Sequence, residues 1–288
     1  MRLAYSNTDP REKPPLGAVL DSSHPFLSKG VSGVWQLNEN GGMAGFIADS
    51  GPHNNKVNTY NGVAWKPSIG GQGLQFSGSN SLVTGPTFKS QPLGNVPFTQ
   101  FAYVLFQGGA VNFYCAGKIG ADNGASGGEW IGVNGGVAVA DFGSGHGSLT
   151  GSTTVTTTKP HLITSTYDGA THRVYLDGKQ EASVAFSTAN LVQDGVYIGT
   201  YYIAPGNNQY YWDGFIYLYG VLPYAMTADQ VWKHWTEPYQ FFLPPRDYRD
   251  SWFTAAAVVP TGGVLIVDGV GASATQPTSL ISQESEIY

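Results

Sequence analysis

Five aromatic residues stand beside glycine-rich, polar segments, where their rings could stack on a sugar. Trp130 follows the run GADNGASGGE, while Tyr201 and Tyr202 precede, and Tyr210 and Tyr211 follow, the segment IAPGNNQ. Tyr and Trp combine an apolar ring face with a polar handle, which is what a carbohydrate platform requires. The same rings also suit packing in a core or contact with another subunit. From the sequence alone we favour packing.

The acidic residues do not form the pattern of a glycosidase. Glycoside hydrolysis needs two carboxylates that flank the scissile bond, and on one strand face they would occupy alternate positions. Glu129 and Asp141 lie in different segments, while Asp168 and Asp177 each precede a glycine and are explained as turn formers. The six histidines lack the glycine pattern of a nucleophile elbow. We therefore expect no enzymatic activity.

One loop carries oxygen ligands that would suit calcium. The segment DSGPHNN supplies the side-chain oxygens of Asp49, Asn54 and Asn55, and calcium takes ligands of this kind. The alternative is a loop stabilised by its own Asx turns. We favour the alternative because no segment has the ligand spacing of an EF-hand, and we expect no cofactor other than this calcium.

Composition and charge exclude several classes of protein. The net charge is −6 and no cluster of Lys and Arg occurs, which argues against nucleic acid as a partner. Cys115 is the single cysteine, so no disulfide forms within the chain. The first residues lack the apolar core of a signal peptide, and no run reaches the ~18 apolar residues of a membrane span. We expect a protein made in the cytoplasm, without a membrane partner.

Strand patterns indicate an all-β protein. Glycine is abundant, at 39 residues, and only 12% of residues are charged, which is typical of many short strands joined by tight turns. The run Phe98–Gln107 is apolar on both parities and predicts a central strand. Asp168-Gly169 and Asp177-Gly178 are turns that flank the strand THRVYLDG. Strands of this length and spacing predict an antiparallel β-sandwich.

The stretch Tyr210–Trp235 predicts a buried strand followed by one helix. Gly214–Leu222 is almost wholly β-branched, aromatic or aliphatic. Strict alternation would place Ile216 and Leu218 on one face and Phe215, Tyr217 and Tyr219 on the other. Pro223 ends the strand because proline has no N–H to donate.

The predicted helix begins at Thr227. Thr227 and Gln230 have the spacing of a capping box. Val231, Trp232 and Trp235 would form an apolar stripe along one side. We expect both tryptophans to be buried against the sandwich.

Several motifs, taken in order, resemble the laminin-G-like, concanavalin A-like sandwich family, and in particular the versions encoded by tailed bacteriophages. They cover about residues 14 to 245, and the most specific are YDG followed by HRVYLDGK, and DGFIYLYGVLP followed by TADQVWKHWTEPYQFFLPP. The resemblance implies a jelly roll of two curved antiparallel sheets with six or seven strands each. It also adds to the case for calcium, which such domains often hold at the rim of the sandwich.

Three parts of the chain are predicted. Residues 1–30 are proline-rich and read as an extended arm, residues 31–242 form the sandwich with a helix at 227–236, and residues 243–288 form an extended tail. Within the tail, GVLIVDGV is a strongly β-prone strand, so Val264, Leu265, Ile266 and Val267 are candidates for contact between subunits. The alternative is that this strand joins its own sandwich as an edge strand.

Two functions follow from this organisation. The first is a structural protein of a phage virion, decorating the capsid or forming a minor part of the tail, with other virion proteins and further copies of itself as partners. The second is a carbohydrate-binding module of a tail fibre, a lectin with surface glycans as ligands. The terminal arms favour the first, because a lectin that acts alone needs neither. The virion is the expected location.

Overall fold

Most of the sandwich is described, with short gaps. The computed structural model describes residues 13–15, 17–39, 47–55, 57, 59–79, 81–85, 88–109, 112–121, 128–143, 147–204 and 207–243. The chain divides into two units, Met1–Leu243 and Pro244–Tyr288. All described residues belong to the first unit. The predicted tail strand, with Val264, Leu265, Ile266 and Val267, lies outside the described residues.

Short apolar runs between glycine-rich turns become strands. In chain order they are β1 (Val19–Leu20), β2 (Gly33–Trp35), β3 (Thr59–Asn61), β4 (Ala64–Ser68), β5 (Gly71–Ser77), β6 (Leu82–Gly85), β7 (Phe98–Phe106), β8 (Phe113–Gly120), β9 (Gly128–Asn134), β10 (Val137–Asp141), β11 (Leu149–Thr154), β12 (His161–Tyr167), β13 (Thr171–Leu176), β14 (Lys179–Ala185), β15 (Val196–Ile198), β16 (Tyr201–Ala204), β17 (Asn207–Gln209), β18 (Asp213–Leu222) and β19 (Phe242–Leu243). Helix α1 spans Ala228–Thr236.

Two antiparallel sheets pack face to face. One has the order β11-β10-β9-β8-β15-β6-β3, and the other has the order β14-β13-β12-β7-β18-β5-β4, with β2 also paired to β18. The larger core lies between the sheets, and a second core lies on the outer face of the eight-stranded sheet. The predicted antiparallel β-sandwich is confirmed.

Strand β7 holds the eight-stranded sheet together, as its two apolar faces predict. All nine of its residues are buried, and it pairs with β12 on one side and β18 on the other. Phe98, Ala102 and Val104 point into the core between the sheets. Phe101 and Tyr103 point into the second core. A strand covered on both faces carries a continuous apolar run rather than an alternating one.

A β-bulge in β18 overturns the predicted faces of that strand. Its register against β7 shifts between Ile216 and Leu218, and an extra residue at a bulge reverses the alternation beyond it. Leu218 therefore joins Phe215 and Tyr217 in the second core, while Tyr219 joins Ile216 between the sheets. Alternation alone was wrong for Leu218 and Tyr219 because the bulge carries no clear sequence signal.

Helix α1 covers the outer face of the eight-stranded sheet. Thr227 and Gln230 form the predicted capping box, with each side chain bonded to the other's backbone N–H. Val231, His234 and Trp235 are buried, whereas 47% of Trp232 is exposed. The prediction of a buried Trp232 was wrong because positions i, i+3 and i+4 share the buried face, which gives His234 the place next to Val231.

The described part of the expected N-terminal arm lies on the same outer face. Strand β1 pairs with β19, so Val19–Leu20 and Phe242–Leu243 form a two-stranded ribbon. Phe26 and Leu27 are buried in the second core. Lys13 donates from Nζ to the carbonyls of Gln72 (2.7 Å) and Leu37 (3.3 Å), and burial lowers its pKa to about 7. These contacts fasten the segment to the sandwich.

Candidate functional site

Four aromatic rings meet on the outer face of the seven-stranded sheet. Trp130 points to the opposite side of β9 from Ile131, which lies in the core. Its ring centroid lies 5.8 Å from that of Tyr201, 6.2 Å from that of Tyr210 and 6.3 Å from that of Phe113. The fold therefore brings together three of the predicted sugar-binding residues, and it adds Phe113, which the sequence analysis missed.

The four rings divide into a buried pair and an exposed pair. Trp130 and Tyr201 are only 5% and 6% exposed, so they support the cluster from below. Phe113 and Tyr210 are 41% and 36% exposed, and their centroids are 5.0 Å apart with planes inclined by 36°. Only this second pair presents ring area to a ligand.

The exposed pair lines a cleft of about 390 Å³, which is large enough for a sugar ring. The β5–β6 turn, the segment leading into β8 and the segment between β17 and β18 form its walls. Its lining residues are Ser77, Gly78, Ser79, Asn112, Phe113, Tyr114, Tyr210, Tyr211 and Asp213. The cleft thus combines aromatic rings with hydroxyl, amide and carboxylate groups.

Local backbone geometry fixes the wall of the cleft that is formed between β17 and β18. Tyr210 has φ +54°, a left-handed conformation that costs energy for a residue with a Cβ. Its carbonyl accepts a hydrogen bond from the backbone N–H of Cys115 at 2.7 Å. Tyr211 forms an isolated parallel bridge with Cys115. This turn of the chain directs residues 210–213 along the end of β8.

Asp213 supplies the cleft's charge. Its carboxyl group is half-buried, and this burial raises its pKa. Among the described residues, none forms a hydrogen bond with the Asp213 carboxylate, and no lysine, arginine or histidine lines the cleft. The carboxylate is therefore available to a ligand.

The five predicted aromatic residues have different places. Tyr210 and Tyr211 line the cleft, and Trp130 and Tyr201 lie beneath its rim. Tyr202 belongs to β16, where the structure describes its backbone and not its side chain. Phe113 and Asp213 were missed, although Asp213 stands two residues after Tyr211 in the sequence. The proximity of Phe113 depends on strand pairing, which the local sequence does not reveal.

The residues proposed for calcium do not fit that ion. Asp49 Oδ1 accepts hydrogen bonds from the backbone N–H groups of Val34 and Gly51. Its Oδ2 accepts from the backbone and side-chain nitrogens of Asn55. The side-chain oxygen of Asn55 accepts from the N–H of Lys89. Since N–H donors occupy these oxygens, Asp49 and Asn55 form a buried network that holds the loop.

Asn54 takes no part in that network. It is exposed and has φ +53°, a conformation that asparagine tolerates in tight turns. In the part of the chain that the structure describes, no three His, Cys, Asp or Glu side chains come together as a metal site. None of the described helices has the length and apolar character needed to cross a membrane.

A second polar cluster lies inside the sandwich. Glu129, Ser165 and His172 are fully buried between the sheets. His172 Nε2 lies 2.9 Å from Ser165 Oγ and 3.5 Å from Glu129 Oε1, and its Nδ1 lies 2.7 Å from the carbonyl oxygen of Gly147. Burial raises the pKa of Glu129. No part of these side chains is open to a substrate, so the cluster is a feature of the core.

Comparison with known proteins agrees with the fold. A family model described as the concanavalin A-like lectin/glucanases superfamily, Laminin_G_3, matches residues 87–232. No curated protein sequence gives a significant match.

Solved structures give the same result. The binding domain of botulinum neurotoxin serotype G superposes with a TM-score of 0.55 at 12% identity, over 80% of this chain and 53% of that one. The binding domain of Paraclostridial Mosquitocidal Protein 1 gives 0.53 at 12% identity, over 71% and 51%. A structure of botulinum neurotoxin type C, a toxin whose cell entry depends on interaction with two ganglioside molecules, gives a TM-score of 0.52 at 11% identity, over 76% of this chain and 51% of that one. The chain spans about half the length of these structures, and identities this low establish the fold alone.

Proposed function

The chain belongs to the concanavalin A-like lectin/glucanases superfamily, and on that premise we propose that its sandwich is a lectin-like module that binds a glycan without cleaving it. One observation carries the proposal: Phe113 and Tyr210 lie side by side, exposed, over a cleft that also holds Asn112 and Asp213. A sugar presents an apolar C–H face and a rim of hydroxyls. Rings bind the first, while carboxylate and amide groups bind the second.

The absence of cleavage is part of the proposal. Asp213 is the carboxylate among the described lining residues of the cleft, and hydrolysis of a glycosidic bond uses a pair. Glu129 lies in the sandwich interior, where no substrate reaches it. A binding role asks only for shape, ring faces and hydrogen-bond partners, all of which the cleft supplies.

For the biological setting, we propose display on the virion of a tailed bacteriophage, on the capsid or the tail. This rests on the sequence resemblance and on the predicted terminal strand, which would bind other virion proteins or further copies of the chain. Glycan binding and display on a particle are compatible, since a lectin module at the surface would bring the particle to a glycan-bearing cell. Co-purification with intact particles at a fixed copy number would support this setting, and its absence from particles would contradict it.

A glycan array with the purified full chain tests the binding function. We expect selective binding that falls about tenfold or more in Phe113→Ala and in Tyr210→Ala, because loss of about 1.4 kcal/mol of stacking and burial corresponds to a factor of ten. Trp232→Ala is the matched control, since it removes an exposed aromatic ring on α1, outside the cleft. Binding that survives both cleft substitutions, or no glycan binding at all, would refute the proposal. Release of reducing ends from a bound glycan would refute the non-catalytic part.

A further inference from the structure

We propose that the cleft selects against acidic sugars and favours sugars with a free amino group, with Asp213 as the residue that sets this preference. The inference rests on the proposed glycan-binding function and adds the class of ligand. It follows from the charges around the cleft, from the fixed position of Asp213 and from the rings beside it.

The charge balance of the cleft is negative. Asp213 is half-buried, with no described partner for its carboxylate, and no described lining residue is basic. A carboxylate on a ligand would place two like charges close together in a partly desolvated site, which is unfavourable. An ammonium group would form a charge-assisted hydrogen bond there, and a hydroxyl would donate a neutral-to-charged one.

Lys118, which lies near the Tyr201 ring, does not change this balance. Lys118 is 1% exposed, and its Nζ donates to the carbonyl of Gly120 at 2.6 Å and pairs with Asp194 at 3.4 Å. The same Nζ lies 5.0 Å from the ring centroid of Tyr197 and 5.7 Å from that of Tyr201. Its charge is directed to these groups beneath the rim and is not presented to the cleft.

Asp213 is held in position by its neighbours. Its carbonyl accepts from the N–H of Gln107 at 2.9 Å, and the carbonyl of Trp212 accepts from the N–H of Gly78 at 2.9 Å. Gly78 has φ +73°, and a Cβ there would come within 3.0 Å of the Asp213 side chain. The turn is therefore closed tightly against Asp213, and the glycine is required both by its own φ and by this contact.

The aromatic pair determines how the sugar would lie. With the pyranose face on Phe113 and Tyr210, the substituents on the ring edge would share the cleft with Ser77, Asn112 and Asp213. A charged substituent on that edge would then interact with the carboxylate. The preference should therefore depend on the charge of one substituent rather than on the total charge of the glycan.

The test has two stages with the full-length protein. An array with neutral, amino and acidic sugars in several linkages first identifies a neutral oligosaccharide that binds. Isothermal titration then compares this neutral probe with its amino-substituted and uronic-acid counterparts. We expect the uronic form to bind at least tenfold more weakly than the neutral probe, and the amino form at least threefold more tightly.

Two variants test whether Asp213 causes the preference for amino sugars over acidic ones. Asp213→Asn should bring the three affinities to within about twofold of one another. Asp229→Asn removes the same charge from an exposed position on α1 and should leave the differences unchanged. In the wild type, the advantage of the amino probe should shrink as salt rises, since screening weakens the pair. This last measurement needs no variant to fold.

The outcomes separate the two proposals. Failure of every sugar class to bind refutes the glycan-binding function itself. Binding of uronic sugars as tightly as neutral ones, or a preference that persists in Asp213→Asn, refutes the inference about charge and leaves the binding function standing.

Discussion

Glu129 Oε1 lies 3.5 Å from His172 Nε2 in the interior between the two sheets, and both side chains are fully buried. The carbonyl of Gly147, 2.7 Å from Nδ1, fixes a proton on that nitrogen of His172. Burial raises the pKa of Glu129, and this effect outweighs the hydrogen bonds with His172 and Ser165, which lower it.

Glu129→Gln should therefore stabilise the protein at neutral pH. A carboxyl whose folded pKa is raised stabilises the fold below its ordinary pKa of about 4.3, and this contribution is lost as pH rises through the folded value. The variant carries no such titration, so its advantage should grow with pH above about 4.3, by up to about 1.4 kcal/mol per pH unit. Urea midpoints from pH 4.5 to 8 measure it. Glu237→Gln on the surface is the control, and parallel curves for wild type and Glu129→Gln would contradict the prediction.

His234 gives a pH dependence of the opposite sign. It is fully buried on the inner side of α1, with its ring centroid 4.5 Å from that of Phe101, and burial lowers its pKa to about 3. The unfolded chain takes up a proton below about pH 6.5 and the folded chain does not. Stability should fall by about 1.4 kcal/mol per pH unit between these two values.

His234→Phe should remove that slope, because a phenyl ring fits among the neighbouring aromatic rings and does not titrate. Unfolding free energies at pH 4, 5 and 6.5 make the comparison. The exposed His53, changed to Gln, should leave the slope as it is. A slope that persists in His234→Phe would show that other groups govern acid unfolding.

The sequence predicted what depends on local pattern and missed what depends on partner strands. The continuous apolar run of β7 was enough to predict a central strand with two covered faces, and the Asp-Gly pairs predicted both turns around β13. The bulge in β18 arises from its pairing with β7, so alternation misplaced Leu218 and Tyr219.

Prediction of the candidate site had the same limit. Three of the five predicted aromatic residues cluster, since they stand near glycine-rich loops at one part of the sheet. Phe113 lies beside Tyr210 because the chain at Tyr210 bonds to Cys115 of β8, a contact between segments far apart in sequence. Its place in the cleft, and that of Ser77 beside Asp213, required the three-dimensional arrangement.

Trp235 and Trp232 should differ in their contribution to stability. Trp235 is 8% exposed and Trp232 is 47% exposed. Trp235→Ala should cost about 3–5 kcal/mol, the range for a buried large aromatic side chain, and Trp232→Ala about 1 kcal/mol or less. Thermal and urea unfolding of both variants provide the measurement. If neither variant changes stability, α1 is not docked on the sheet.

Two glycines that each follow an aspartate in a turn separate backbone strain from packing. Gly169 has φ +94° with open space where a Cβ would stand, whereas Gly178 has φ +79° and its Cβ would lie 2.8 Å from Trp232 Cε3. Gly169→Ala should cost about 1–2 kcal/mol for the left-handed backbone. Gly178→Ala should cost a further 1–3 kcal/mol, roughly, from the contact with the helix. Equal losses in the two variants would mean that α1 moves freely away from the turn.

The tail strand GVLIVDGV lies outside the described residues, and its role is a prediction from sequence. Val264 and Ile266 would face one way and Leu265 and Val267 the other, so both faces are apolar. A free strand of this kind tends to pair with another edge. We favour pairing with a neighbouring copy or another virion protein, because the proline-containing chain after the helix reads as a linker that leaves the sandwich.

Deletion of Gly262–Tyr288 tests this pairing. The truncated protein should keep the melting temperature and urea midpoint of the sandwich, because the described cores contain residues only up to Phe242. Oligomerisation, measured by light scattering, and incorporation into particles should be lost, since the intermolecular backbone bonds would be gone. A second variant, Leu265→Lys with Val267→Lys, keeps the chain length and should have the same effect by placing charge on one face of the strand. A truncated protein that unfolds would instead place the strand in its own sandwich, and one that assembles normally would show that the tail is dispensable.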